Sequence, residues 1–286
     1  MTDGVIVVDK PAGMTSHDVV DEVRRRLGIR RVGHGGTLDP AATGVLLVGV
    51  GRVTRLLSFA QRAPKRYLAI ALFGTSTTTQ DAGGEVVERR PTDHLTQELV
   101  EAAMKGLQGE LSQVPPMMSA LKVGGERLHV KARRGEQVER EPRRVTVYRF
   151  GLVEWRAGPP PTADFDVYCS AGTYVRTLIH DLGAELGCGA HVTALRRVAA
   201  GGFQETEAIP LDDITAEHVR PALDAVRDLE VIEVDDEQAR AVRHGRPLEA
   251  PGAGSEGASI ALAHEGDLLA VYRRRGTALV PDRVLA

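Results

Sequence analysis

The chain has 286 residues, 42% of them hydrophobic and 26% charged, with a formal net charge of −3. That length accommodates one large and one small domain, and no apolar run approaches the ~20 residues of a bilayer-crossing helix, which excludes a helical membrane protein. Two cysteines, Cys169 and Cys188, are too few for a disulfide framework or a structural zinc site, and an N-terminus with no basic stretch ahead of an apolar one argues against secretion.

Gly4–Asp9 is a short β-branched run that reads as a buried strand. Lys10-Pro11-Ala12-Gly13 breaks it, and Thr15, Ser16 or Asp18 can cap a helix Asp18–Leu27, in which Val19, Val20, Val23 and Leu27 recur at helical spacing. A glycine-rich loop, Gly33-His34-Gly35-Gly36-Thr37-Leu38-Asp39-Pro40, precedes a strand Val45–Val50 and a short helix Arg52–Ala60. Tyr67–Phe73 reads as a strand ended by the polar run Gly74–Asp81, and Leu95–Leu107 as a helix. Ser112–Arg144, with Pro115-Pro116 and Gly124-Gly125, is the least regular part and is expected to be an insertion that stays mobile until it meets a partner. Strands follow at Val145–Val153 and Asp164–Ser170, then a helix Tyr174–Leu186, a strand Val192–Ala199, and a polar connection Pro210–Leu229 of helical character. From Val231 the pattern changes to short strands and turns, including the Gly/Ala/Ser stretch Pro251–Ser259, which suggests a separate small β-domain. There is no internal repeat.

The net charge conceals an uneven distribution. Basic residues gather at Arg24, Arg25, Arg26, Arg30 and Arg31, at Arg62, Lys65 and Arg66, and from Lys122 to Arg144, while acidic residues gather between Asp224 and Glu237. An RNA-binding face needs local positive potential, which total charge does not measure. These clusters permit an RNA partner without requiring one.

Glycines let a ligand approach the main chain, so the loop ending in Asp39 is the first candidate site. On spacing alone, Asp39 followed by Pro40 is better read as a helix cap or a turn. The loop lacks the Gly-Lys-Ser/Thr ending of a phosphate-binding loop and the dinucleotide glycine pattern. His17 and His34 have no partner at zinc-like spacing, so no metal is expected; His34 is a surface residue or a group that meets an unstacked base. Tyr67 reads as an aromatic at a strand end. Arg176 is either a surface cation or the partner of a partly buried carboxylate that it holds ionised.

Five blocks taken in order, GVIVVDKPAGMTSHDVV, RRVGHGGTLDPAATGVLLVGVGRVTRLL, KRYLAIALFGTSTTTQDAGGEV, PPMMSALKVGGERLHVKARRG and CSAGTYVRTLIHDLGAELGCGAHVTALRRVAAG, closely resemble the TruB family of tRNA pseudouridine synthases, relatives of Cbf5/dyskerin. They cover most of residues 4 to 202. The resemblance implies an α+β pseudouridine synthase fold: a central mixed, largely antiparallel sheet flanked by helices, plus a small C-terminal PUA-like β-domain. It implies a catalytic domain over residues 1–228, a basic thumb-like insertion over 112–144, and the PUA-like RNA-binding domain over 229–286. That last match is weaker and rests mainly on Ala239 and Gly245.

Residue by residue, Asp39 matches the invariant catalytic aspartate, Tyr67 the tyrosine that contacts the target base and handles the proton at C5, and Arg176 the arginine that pairs with the aspartate. Tyr174 and Leu195 match positions lining the uridine pocket, His34 the histidine that meets the disrupted loop when the uridine flips, and Lys10, with Pro11, a support of the site's floor. Lys122, Arg127, Lys131, Arg133 and Arg134 fall in the thumb as RNA contacts. The implied substrate is the uridine at position 55 in the T-arm stem-loop of tRNA, with no cofactor, no metal, no membrane and no obligatory protein partner, in a cytoplasmic monomer. An ionised carboxylate can add to C6 of uracil, act at C1′, or work through a glycal, and the sequence leaves these open. Met118 stands where many relatives carry tyrosine, and a tail without a basic extension favours a stand-alone enzyme over a guide-RNA subunit.

Overall fold

A computed structural model describes residues 3–119, 121–134, 136, 138–249, 252 and 254–285. By contact density the chain divides into two units: Met1–Leu38, Gly44–Ala63 and Ala200–Ala286 form the first, Asp39–Thr43 and Pro64–Ala199 the second.

In the first unit the β-branched run becomes the strand Gly4–Lys10, antiparallel to Thr43–Val50 from Gly4↔Val50 to Lys10↔Gly44 and parallel to Ile209–Pro210. Val5, Ile6, Val7 and Val8 are all buried, as expected of a strand covered on both faces. The following helix is Ser16–Leu27, and of the possible caps it uses Thr15. The Thr15 hydroxyl accepts from the Asp18 N–H at 3.1 Å, and the Thr15 N–H donates back to the Asp18 carboxylate at 2.8 Å. Instead of a single helix Arg52–Ala60 there is a 3-10 turn, Gly51–Arg55, and a helix, Leu57–Arg62. The helical character of the polar connection resolves into 3-10 turns at Leu211–Asp213, Ala216–His218 and Ala222–Val226.

The C-terminal part of this unit is a five-stranded sheet in the order Glu230–Glu233, Ser259–His264, Asp267–Arg275, Ala278–Val284, Leu248–Glu249, whose first pair is parallel and the others antiparallel. The helix Asp236–Arg243 packs on it with Ala239 and Val242 inward, against Ile260, Leu262 and Tyr272. Ala239 has no exposed surface, and Gly245 takes a left-handed φ of +66° where the chain leaves the helix, which explains a small residue at one position and glycine at the other. Ala250, Pro251 and Ala253 lie outside the described residues.

In the second unit the strands run Ala190–Ala200, Lys65–Phe73, Thr162–Cys169, Arg143–Arg156, Gly109–Gln113. Tyr67 stands opposite Val167, and Gln113 opposite Arg143. Alternation along Lys65–Phe73 turns Ala69, Ala71 and Phe73 toward the helices Gln97–Met104 and Val175–Glu185, where they meet Val100, Leu178, Ile179 and Leu182. The second helix lies close on its neighbour: a Cβ on Gly183 would stand 2.2 Å from the Ala190 nitrogen. The insertion carries a ribbon, Lys122–Val123 with Glu126–Arg127, and a helix, Leu128–Arg133, whose Leu128 is fully buried.

Candidate active site

No helix follows Asp39. Asp39-Pro40-Ala41-Ala42 is a tight turn closed by the Ala42 N–H on the Asp39 carbonyl at 3.1 Å, and the strand Thr43–Val50 begins directly after it. Capping therefore drops out, and the turn reading is the one realised. The carboxylate is 38% exposed at the side chain and has an obvious partner: the Arg176 Nε donates to Asp39 Oδ2 at 2.9 Å, from a side chain only 5% exposed.

Arg176 is held on every side. Its Nη1 donates to the Thr79 carbonyl at 2.7 Å and to Asp81 Oδ2 at 3.1 Å, and its Nη2 to the Met118 carbonyl at 2.9 Å. A guanidinium locked by carbonyls and a second carboxylate presents its Nε to Asp39 in a fixed direction and favours the ionised form of that acid. The position where relatives carry tyrosine thus contributes through its main chain, so methionine at 118 leaves the bond to Arg176 intact.

Asp81 was not a candidate on sequence grounds. It ends the polar run after the strand Lys65–Phe73, 95 residues from Arg176. Its Oδ1 is tied down by the Thr79 hydroxyl at 2.5 Å and the Gly83 N–H at 3.0 Å, leaving Oδ2 for Arg176. Gln80 between them takes a left-handed φ of +63°, a strained state for a non-glycine residue, and its side chain accepts from the Thr177 hydroxyl at 2.7 Å. Gln113, also unforeseen, grips Tyr174: its amide accepts from the Tyr174 N–H at 2.8 Å and donates to the Tyr174 carbonyl at 3.1 Å, fixing the residue that caps the Arg176 helix.

Tyr67 is half-buried, as is Leu195 on Ala190–Ala200, and both pack against the core of this unit. Burial pushes the Tyr67 phenol above its usual range, and the neighbouring Arg197 guanidinium pulls the other way. Asp39, Tyr67, Tyr174, Arg176 and Leu195 thus all belong to the second unit.

Lys10 and His34 belong to the first unit. Lys10 is fully buried and donates to the Pro11 and Met14 carbonyls at 2.8 and 2.6 Å, closing the turn after its strand. His34 ends the strand Val32–His34, and its carbonyl accepts from the Gln61 amide at 3.4 Å. Of the thumb cations, Arg134 pairs with Glu126 at 2.6 Å and Glu136 at 2.7 Å, and Lys131 is half-buried; the side chains of Lys122, Arg127 and Arg133 lie outside the described residues. Among the described residues no cluster of three or more His, Cys, Asp or Glu side chains could hold a metal ion, and no helix is long and apolar enough to cross a membrane.

Three family models match the chain in succession from residue 24 onward: the N-terminal domain of TruB family pseudouridylate synthase over residues 24–175, the tRNA pseudouridylate synthase B C-terminal domain over 176–230, and the C-terminal part of tRNA pseudouridine synthase II over 229–286. The chain is 46% identical to tRNA pseudouridine synthase B of Thermobifida fusca, over 100% of this chain and 99% of that one. It is 49% identical to the protein of the same name from Symbiobacterium thermophilum, over 85% and 82%. Among solved structures it is similar to a crystal structure of a Cbf5-Nop10-Gar1 complex, with a TM-score of 0.78 at 30% identity over 99% of this chain and 85% of that one. A crystal structure of the archaeal box H/ACA sRNP Nop10-Cbf5 complex matches with a TM-score of 0.74 at 28% identity, over 99% and 86%.

Proposed function

The chain belongs to the TruB family of pseudouridylate synthases, and from that premise we propose that it acts alone on the uridine at position 55 in the T-arm stem-loop of tRNA, with Asp39 as its catalytic carboxylate. It is a tRNA pseudouridine synthase, an isomerase, and its fold is the α+β pseudouridine synthase fold with a small PUA-like β-domain at the C-terminus. The observation that carries the finer reading is the ion pair of Asp39, at 2.9 Å, with the buried Arg176, which is also bonded to Thr79, Asp81 and Met118.

The reaction breaks the N1–C1′ bond, turns the uracil and joins C5 to C1′; the C5 proton leaves and N1 regains one. Nothing is oxidised or reduced, so the chemistry calls for no metal, nucleotide or organic cofactor. A fixed, ionised carboxylate is the group on which glycosidic cleavage depends. Tyr67 contacts the target base and handles the C5 proton, Tyr174 and Leu195 line the pocket, His34 meets the disrupted loop, and Lys10 supports the floor. Flipping the nucleotide out of its stack costs a few kcal/mol. The thumb over residues 112–144, through Lys122, Arg127, Lys131, Arg133 and Arg134, offsets this with phosphate contacts. The catalytic domain spans 1–228 and the RNA-binding PUA-like domain 229–286, in a cytoplasmic monomer with no obligatory protein partner.

The test is to incubate the purified chain with an unmodified T-arm stem-loop and with full tRNA, and to map pseudouridine. Modification at position 55 without additions is expected. Modification only after adding guide RNA and partner proteins would make it a particle subunit, and none under any condition would make it an RNA-binding protein on this scaffold.

A further inference from the structure

The helix that carries Arg176, Val175–Glu185, begins without a local cap. Its N-cap residue, Tyr174, makes no capping bond with its side chain. In a capping box the third helical residue would accept the N-cap N–H, but that residue is Thr177, whose hydroxyl is turned to Gln80 at 2.7 Å. The missing acceptor comes from a strand 61 residues away. Gln113, the last residue of Gly109–Gln113, accepts from the Tyr174 N–H at 2.8 Å through Oε1 and donates to the Tyr174 carbonyl at 3.1 Å through Nε2. It is 3% exposed, so water does not compete for either bond.

Further along the same segment the chain meets the arginine itself, where the Met118 carbonyl accepts from Arg176 Nη2 at 2.9 Å. Between the two contacts stand Pro115 and Pro116, whose rings fix φ and stiffen the connection. Arg140, on the returning end of the insertion, donates to the Pro115 carbonyl at 3.1 Å. Gln113 to Met118 thus braces Arg176 at two points: the main chain just ahead of it and the tip of its guanidinium. A shift at the start of the helix would carry the Arg176 backbone with it and redirect the Nε that meets Asp39 at 2.9 Å. We propose that Gln113 is a positioning residue for the isomerisation: by capping the helix at Tyr174 it sets where the Arg176 guanidinium meets Asp39. This rests on the reading of Asp39 as the catalytic carboxylate.

The experiment measures single-turnover pseudouridine formation at saturating tRNA, and tRNA Kd, for Gln113→Leu, with the fold checked by circular dichroism at the assay temperature. Leucine keeps most of the bulk and removes both bonds to Tyr174. The rate should fall at least about tenfold, since small misplacements of positioned groups cost up to about 10²-fold, while Kd stays within about twofold. Gln113→Glu keeps an acceptor for the Tyr174 N–H and loses the donor, so its rate should lie between leucine and wild type. In the Arg176→Lys background, Gln113→Leu should add less than about a threefold loss, because the guanidinium whose aim Gln113 sets is gone. A purely structural role would lower Tm without that dependence on Arg176. A wild-type saturated rate in Gln113→Leu overturns the proposal, and if Kd alone weakens, Gln113 belongs to the RNA grip instead. Equal slowing with Arg176 present and in the Arg176→Lys background overturns it as well. If leucine prevents folding, the glutamate variant decides by the same two comparisons. Wild-type turnover by Asp39→Asn removes the reading on which this rests, whereas an inactive Asp39→Asn beside a wild-type Gln113→Leu removes this proposal alone.

Discussion

Replacing Arg176 by methionine tests whether the site's electrostatics are arranged as described. Methionine matches the length of the arginine stem and removes every donor. Asp39 then loses its 2.9 Å partner, Asp81 its 3.1 Å partner, and the Thr79 and Met118 carbonyls their donors at 2.7 and 2.9 Å. Removing one partner of a buried pair typically costs about 3–5 kcal/mol. The two carboxylates are 38% and 21% exposed at the side chain, so water recovers part of the loss and the lower end applies. At roughly 2–4 °C per kcal/mol for a chain of this size class, a loss of about 3 kcal/mol lowers Tm by about 6–12 °C. Scanning calorimetry on the purified variant measures this, and the same preparation assayed on tRNA should be inactive with Asp39 unchanged. Arg176→Lys, a point charge unable to reach all four acceptors, should fall between. A methionine variant melting within about 2 °C of wild type would refute the claim that this network is structurally committed, since a shift that small corresponds to about 1 kcal/mol or less.

Other outcomes follow from the same contacts. Gly183→Ala forces a Cβ to 2.2 Å from the Ala190 nitrogen and 2.4 Å from the Gly189 carbonyl carbon; a loss of about 1–3 kcal/mol in urea unfolding is expected, and wild-type stability would contradict the close packing of helix on strand. Burial pushes the Cys169 thiol up to about 11 and raises Cys188 as well, so neither ionises near neutrality. Iodoacetamide at pH 8 should therefore label the native protein far more slowly than the unfolded one. Because the folded pKa is the higher one, the stability the Cys169 thiol contributes is whole below an unfolded value of about 8.5 and is lost as pH rises through about 11. Fast native labelling would show the thiols accessible. Lys131→Glu should weaken tRNA binding and change the salt slope by about one with no change in Tm; it is a cleaner choice than Arg134, whose reversal also breaks its pairs with Glu126 and Glu136.

The sequence carried the elements whose signals are local. Gly4–Asp9 and Tyr67–Phe73 announce strands by β-branched and apolar runs, and Thr15 with Asp18 announces a helix start; the structure moves these boundaries by two residues or fewer. What it could not carry is set by distant partners. Gly109–Gln113 is a strand because Arg143–Arg156 comes back to pair with it beyond the insertion, and nothing within the five residues says so. Asp39-Pro40 has the chemistry of a helix start, yet Thr43–Val50 pairs with Gly4–Lys10, and the segment has room only for a turn. Arg176 was visible as the possible partner of a carboxylate, whereas Asp81 and Gln113 gain their roles 95 and 61 residues away in sequence.

The central claim concerns Asp39, and Asp39→Asn tests it most directly. Asparagine retains the turn and can still accept from Arg176 while losing the charge and the nucleophilic oxygen. Single-turnover pseudouridine formation on unmodified tRNA should fall by about 10³-fold or more, as when other enzymes lose a key catalytic residue. Tm should shift by no more than about 4 °C, since the partly exposed pair is worth about 1 kcal/mol. A variant that still converts the uridine at position 55 at a wild-type rate would contradict the assignment of this carboxylate as the catalyst.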